Sequence, residues 1–243
     1  MFFTKLLIIS DNLYLIEAFK ELLIEMKFEI DYTIKCSFNN AGLSKELSIA
    51  MVNVEQELES IISTYDLIFS LHCKQIFPDK LVNSIKCINV HPGYNPYNRG
   101  WFPQVFSIID KQPIGATIHE IDEYLDHGNI IDQEEIEINS WDTSLDVYNR
   151  VLKLEVELLR RNISNILTNS YNKFPSKENG NVNKMKDYHE LCKLDLEENG
   201  NLEFFIDKLR ALTHDPYKNA YFVDKKCGKK VYVKINFELH PRK

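Results

Sequence analysis

Apolar residues in this chain fall into short unbroken runs, separated by stretches where they recur every three or four positions. The first run, TKLLII at 4–9, is strand-sized and β-branched; Asp11-Asn12 follow, then a helical spacing through Leu15, Phe19, Leu22 and Leu23. The unit repeats at 66–70 (DLIFS), a loop at 71–78, a helix-like DKLVNSIK and a third run, Cys87-Ile88-Asn89-Val90. Strands alternating with helices predict an α/β fold: a Rossmann-like, mostly parallel sheet with helices on both faces. Two alternating segments, 115–121 and 130–138, extend the sheet. A long helix then starts at a Thr143 cap with Asp146 three residues on, with Leu145, Leu152, Val156, Leu159, Ile163 and Ile166 as its apolar stripe. Polar residues dominate 169–187, after which come a helix at 202–212 and two strand-like runs, AYFVD and KVYVKINF, joined as a hairpin by KKCGK. The expected organisation is a catalytic domain at 1–170, a polar linker at 171–200, and a small C-terminal helix and β-hairpin module at 201–243.

Composition narrows the class. With 44% hydrophobic and 27% charged residues the chain can bury a real core, as soluble globular proteins do. No apolar run approaches the roughly 18 residues a membrane span needs, and the first run ends at Ser10-Asp11 without a small-residue cleavage site, so it reads as a strand. A net charge of −7, with basic clusters only at Lys225-Lys226 and Lys229-Lys230, favours a small-molecule substrate over nucleic acid. Five cysteines without a CxxC pair carry neither metal spacing nor a disulfide framework, which suits a cytoplasmic protein with reduced thiols. The first strand is not followed by GxGxxG, so the dinucleotide fingerprint is missing.

The chemistry concentrates in INVHPGYNPYNRGWFPQ (88–104) and IGATIHEIDEYLDHGNII (114–131). Ligands of open α/β sheets bind beyond the carboxyl ends of the strands. Asn89 and His91 end such a strand two residues apart, on one face if the strand runs through His91. An amide able to donate to an oxyanion, beside an imidazole able to move protons, is a sensible acyl-transfer pair. No Ser or Cys sits in a recognisable elbow, so the nucleophile is expected to come from the substrate. His119 is expected to buttress the site from its strand, and His127 to be exposed.

These two segments resemble the signature of the folate-dependent formyltransferases: Asn-x-His-Pro-Ser-Leu-Leu-Pro, then Arg-Gly, then His-x-x-Asp-x-x-x-Asp-x-Gly. The chain has Asn89, His91 and Pro92, then Arg99-Gly100, then His119, Asp122, Asp126 and Gly128. It departs at Gly93-Tyr94-Asn95, which bears on the shape of the substrate loop. The resemblance implies a catalytic triad of Asn89, His91 and Asp126 and 10-formyltetrahydrofolate as formyl donor, with no metal. It places Leu71, His72, Ile76, Asp122, Tyr124 and Leu125 around the folate.

NPYNRGWFPQVFSI and RALTHDPYKNAYF look like the branch that formylates nucleotide-linked amino sugars. That likeness implies Tyr94, Arg99, Gly100, Trp101, Tyr217, Asn219 and Tyr221 as substrate-binding residues, with a dTDP-4-amino-4,6-dideoxyglucose acceptor for O-antigen and related glycans. A dTDP-3-amino sugar is the alternative acceptor. A non-catalytic folate- or nucleotide-binding module is the alternative of another class; retention of all three triad positions argues against it. Hydrolysis of the formyl donor is a further alternative, in enzymes that carry an extra front domain. The partners expected are the nucleotide sugar, folate and a second copy in a homodimer, with no nucleic acid and no membrane.

Overall fold

The computed structural model describes residues 2–176 and 180–240. Its elements are β1 (Lys5–Ser10), α1 (Leu13–Glu25), β2 (Asp31–Ser37), α2 (Ala41–Leu47), β3 (Ala50–Val52), α3 (Leu58–Thr64), β4 (Leu67–Leu71), α4 (Asp79–Ser84) and β5 (Lys86–His91). They continue with β6 (Arg99–Gly100), α5 (Pro103–Asp110), β7 (Ile114–Glu120), β8 (Ile130–Ile136), α6 (Ser144–Leu167), β9 (Val182–Asn183), α7 (Met185–Cys192), α8 (Leu202–Leu212), β10 (Tyr221–Val223) and β11 (Lys230–Tyr232). Seven strands form one sheet in the order β3-β2-β1-β4-β5-β7-β8; β1 to β5 run parallel, and β7 and β8 are antiparallel additions.

The unbroken apolar runs are explained by burial on both faces. Leu6 and Ile8 join Leu67, Phe69, Ile88 and Val90 in a core closed by α1 and α6. The alternate residues Leu7, Ile9, Ile68 and Cys87 meet Ile61 of α3 and Leu81 of α4 on the opposite face. α6 starts with the expected capping box: the Thr143 side chain accepts from Asp146 N–H, and the Asp146 carboxylate takes the Thr143 N–H.

The structure departs from the sequence reading after residue 170. Residues 171–200 were expected as a linker, yet they contain β9 and α7, and β9 pairs in parallel with β6. The anchors are isolated: Phe174 bridges to Ile130, while Tyr188 and Cys192 enter the main core. Tyr188 stacks on Phe102 with ring centroids 4.0 Å apart. Single aromatics in a polar stretch leave no periodicity to detect. Lys177, Glu178 and Asn179 of that stretch, and residues 241–243, lie outside the described residues. Nor does the C-terminal segment stand apart, because Ala211, Leu212 and Ala220 share the main core with α1 and α6. The hairpin is shorter than its alternation predicts. Its ladder pairs Tyr221 with Tyr232, but Ile235 N–H turns away to Thr213 Oγ1 at the end of α8.

Candidate active site

β5 sits between β4 and β7, and its last residues bring the polar groups to the sheet's C-terminal edge. Asn89 lies opposite His119 and His91 opposite Thr117. A register slip between Ile118 and His119 on the β8 side of β7 places an irregularity beside the site. His119 Nδ1 lies 2.7 Å from Glu120 O. A carbonyl only accepts, so Nδ1 carries the proton, and Nε2 is left to accept from Asn89 Nδ2 at 3.1 Å. The same amide nitrogen donates to Asp126 Oδ1 at 3.1 Å. Asn89 is therefore aimed by two acceptors, and it can donate to a substrate oxygen only by releasing one of them.

Asp126 comes from the loop between β7 and β8, in the left-handed region at φ 47°. Its Oδ2 accepts from Gly100 N–H at 3.0 Å and its main-chain carbonyl accepts from Asn95 Nδ2 at 2.9 Å. Gly100 has φ 88°, and a Cβ there would meet Asn183 O at 2.6 Å, so the close approach of this turn needs glycine. His91 Nδ1 stands 3.6 Å from Asp126 Oδ2, a charge contact longer than a hydrogen bond. Its Nε2 is buried with no partner.

Burial pushes the His91 imidazole down to about 4, against the opposing pull of Asp126. Burial also works against ionisation of Asp126, but the neighbouring His91 and the Gly100 N–H outweigh it and hold the carboxyl far below its usual range. At neutral pH the site thus holds a neutral imidazole beside an ionised carboxylate. A carboxylate held that low is a weak proton acceptor and a strong partner for positive charge developing on an attacking amine. The arrangement can meet both charges of an amine adding to a formyl carbon: positive charge at Asp126, negative charge at an Asn89 N–H.

The other candidate residues divide. Arg99 lies close enough to His91 to oppose its protonation; its Nη1 is 3.4 Å from Leu125 O, and its buried Nε has no partner. Tyr94 and Trp101 are half-buried in the loop around β6. Tyr217 is exposed and faces His214, whose ring is 5.5 Å from Tyr148; Tyr148 in turn is 6.0 Å from His72. Asn219 spends its amide on Leu212 O, and Tyr221 packs on Tyr232 under the Lys230 ammonium. Among the described residues, no contact joins either of these to Asn89, His91 or Asp126.

Two of the expected folate residues are turned elsewhere. The Leu71 side chain is fully buried in the main core, so it cannot face a ligand. His72 points inward to Glu155, with Nε2 2.9 Å from Oε1, and its Nδ1 is 3.4 Å from the Tyr148 hydroxyl. Burial raises the Glu155 carboxyl, and His72 works against that rise. Ile76, Tyr124 and Leu125 are exposed. Asp122 shapes its own loop, accepting from Tyr124 N–H and facing His127 Nδ1 at 2.8 Å. The loops carrying these residues are tied together, since Asn83 of α4 donates to Glu123 and Cys73 and Ile121 pack on the same core.

Sequence reasoning missed Asn95, Thr117 and Glu155. Glu155 left a signal: it sits between Val151 and Leu158 on the buried face of α6, where an acid requires a partner.

Two family models match the chain, one described as formyl transferase over residues 40–163 and one as N-formyltransferase dimerization C-terminal domain over residues 187–239. A Mycobacterium tuberculosis (strain ATCC 25618 / H37Rv) protein named dTDP-4-amino-4,6-dideoxyglucose formyltransferase is 52% identical over 187 residues, covering 76% of this chain and 79% of its own. The crystal structure of a 4-N formyltransferase from Francisella tularensis matches with TM-score 0.93 and 46% identity, covering 98% of this chain and 99% of that one. A sugar N-formyltransferase from Shewanella sp FDAARGOS_354 matches with TM-score 0.93, 43% identity and the same coverage.

Proposed function

We propose an acceptor and a set of residue roles for this chain from one premise: it belongs to the formyl transferase family. The chain moves the formyl group of 10-formyltetrahydrofolate to the amine of a nucleotide-linked sugar, dTDP-4-amino-4,6-dideoxyglucose. The observation that carries this reading is the 52% identity to a protein of that name, in a chain that gathers Asn89, His91 and Asp126 at one strand end. The amine lone pair attacks the formyl carbon as the carbonyl electrons move to oxygen. Asn89 donates to that oxygen, and Asp126 stabilises the positive charge on nitrogen. Neutral His91 then passes the amine's proton to the departing folate nitrogen, and the carbonyl re-forms as a formamide. Exposed Ile76, Tyr124 and Leu125 suit the apolar faces of a pterin, and the polar main chain of their loops suits its ring donors and acceptors. A panel assay separates the acceptors. Turnover should be highest with the 4-amino sugar, and a preference for the 3-amino isomer would overturn the assignment.

We infer that Arg99 meets the substrate's phosphate oxygens: its buried Nε has no partner, and a guanidinium offers several planar donors. Calorimetry should find dTDP binding about tenfold or more weaker in Arg99→Ala, since bonds to charged groups contribute about 1.5–3 kcal/mol. Folate affinity should be unchanged. Equal dTDP affinity in the two proteins would remove Arg99 from this role.

The match to a dimerization C-terminal domain supports a homodimer built on the hairpin. Val223, Val231 and Tyr232 lie exposed there, and a two-stranded hairpin is marginal in water unless it is covered. Sedimentation of a chain truncated before residue 223 should give the mass of one copy. A truncated protein that stays dimeric excludes the hairpin as the interface.

A further inference from the structure

We infer that β9 is a clasp on the active-site turn, with Asn98 and Asn181 as positioning residues that keep Gly100 N–H on Asp126 and Arg99 in place beside it. β9 falls between the two stretches matched by the family models, 40–163 and 187–239, yet its hydrogen bonds reach the site. Along 99–101 the amides divide between two partners. Arg99 N–H donates to Asn181 O at 3.1 Å and Trp101 N–H to Asn183 O at 2.9 Å, while Gly100 N–H, between them, donates to Asp126 Oδ2 at 3.0 Å. Fixing the outer two amides on β9 therefore aims the middle one at the carboxylate. Among the described residues, β9 is the only strand paired with β6.

Side chains lock that register. Asn98 is fully buried and left-handed at φ 49°, a conformation that asparagine enters more readily than most residues. Its N–H donates to Asn181 Oδ1 at 2.8 Å, and its Oδ1 accepts from Asn181 Nδ2 at 2.6 Å and from Asn183 Nδ2 at 3.0 Å. Its Nδ2 donates to Ser107 Oγ at 3.0 Å. A buried amide satisfied on this many sides holds one arrangement rigidly. Two glycines bring the main chains together. A Cβ on Gly180 would lie 1.6 Å from Pro96 O and 2.3 Å from the Pro96 carbonyl carbon, and one on Gly100 would lie 2.6 Å from Asn183 O. These neighbours are backbone atoms, which no change of rotamer can move aside. The inference rests on the reading of Asp126 and Arg99 as groups that meet the reactants.

Asn181 is the cleaner site for a test, because it is half-buried on β9 whereas Asn98 lies wholly inside. Asn181→Ala removes both amide bonds to Asn98 and leaves the side chains of Asn89, His91, Arg99 and Asp126 untouched. Gly180→Ala parts the same two segments from the other end. In each variant the Gly100 amide, followed by NMR, should exchange its hydrogen about tenfold or more faster than in the wild type, since exchange reads local opening. At a temperature well below unfolding, kcat should fall by about 10–10²-fold, the scale of a reacting group misplaced by about 1 Å. KM for 10-formyltetrahydrofolate should hardly change, and dTDP should bind more weakly as Arg99 loosens. If one variant does not fold, the other carries the same comparison. Unchanged exchange at Gly100 overturns the clasp. Faster exchange with wild-type kcat and dTDP affinity, or a lower thermal midpoint alone, overturns its part in the reaction. Normal turnover in Asp126→Ala would instead sink the role of Asp126 and leave the exchange result standing.

Discussion

Replacing His91 by alanine should lower turnover by about 10²–10⁴-fold while the protein stays folded, the usual contribution of a positioned proton carrier. Asn89→Ala and Asp126→Ala should bring losses of the same order, and combining them should add little, because all three act on one intermediate. The geometry points this way: Asp126 accepts from Asn89, faces His91, and is held by Gly100 N–H from a third segment. Near-normal turnover in His91→Ala would show that the imidazole is structural.

The pH dependence supplies a second readout of the same group. Turnover should fall on the acid side, first as the sugar amine becomes ammonium and then as His91 protonates near its buried value of about 4. Stability follows the same sign. The folded pKa of about 4 lies below the unfolded value of 6.5, so between them the unfolded chain binds more protons. Stability from this group is complete above about 6.5 and declines as pH falls towards 4. His91→Ala should therefore flatten the acid side of the stability profile, and an unchanged slope would mean that His91 is not buried in its neutral form.

The second large effect concerns His72. Glu155 is fully buried and His72 is its hydrogen-bond partner, so His72→Ala should cost about 1–3 kcal/mol, the desolvation penalty of a buried group left without its partner. Urea unfolding would register the loss, and His72→Gln, which can still donate to the carboxylate, should recover part of it. A His72→Ala protein within about 0.5 kcal/mol of wild type, but with weakened folate binding, would return His72 to the cofactor site.

Legibility in the sequence followed the physics of each segment. The runs at 4–9, 66–70 and 87–90 were readable because strands buried on both faces must be apolar at every position. α6 announced itself through its cap and stripe. Asn89 and His91 were readable as a pair because a strand repeats every two residues, whereas Asp126 depended on the family resemblance, since its loop returns to β5 by a path no local pattern encodes. Residues 171–200 hid their folding behind polar neighbours, with Tyr188 and Cys192 as the anchors. His72 looked available in a loop, and only the fold brings Glu155 of α6 to its imidazole.

The most direct measurement of the central claim follows a formyl carbon labelled with carbon-13 on 10-formyltetrahydrofolate, with dTDP-4-amino-4,6-dideoxyglucose as acceptor. The label should leave the folate at the rate tetrahydrofolate appears and emerge as a formamide carbon on the sugar nitrogen, with negligible free formate. Label recovered as formate would make the protein a hydrolase, and label that stays on the folate, with both ligands bound, would make it a binding module.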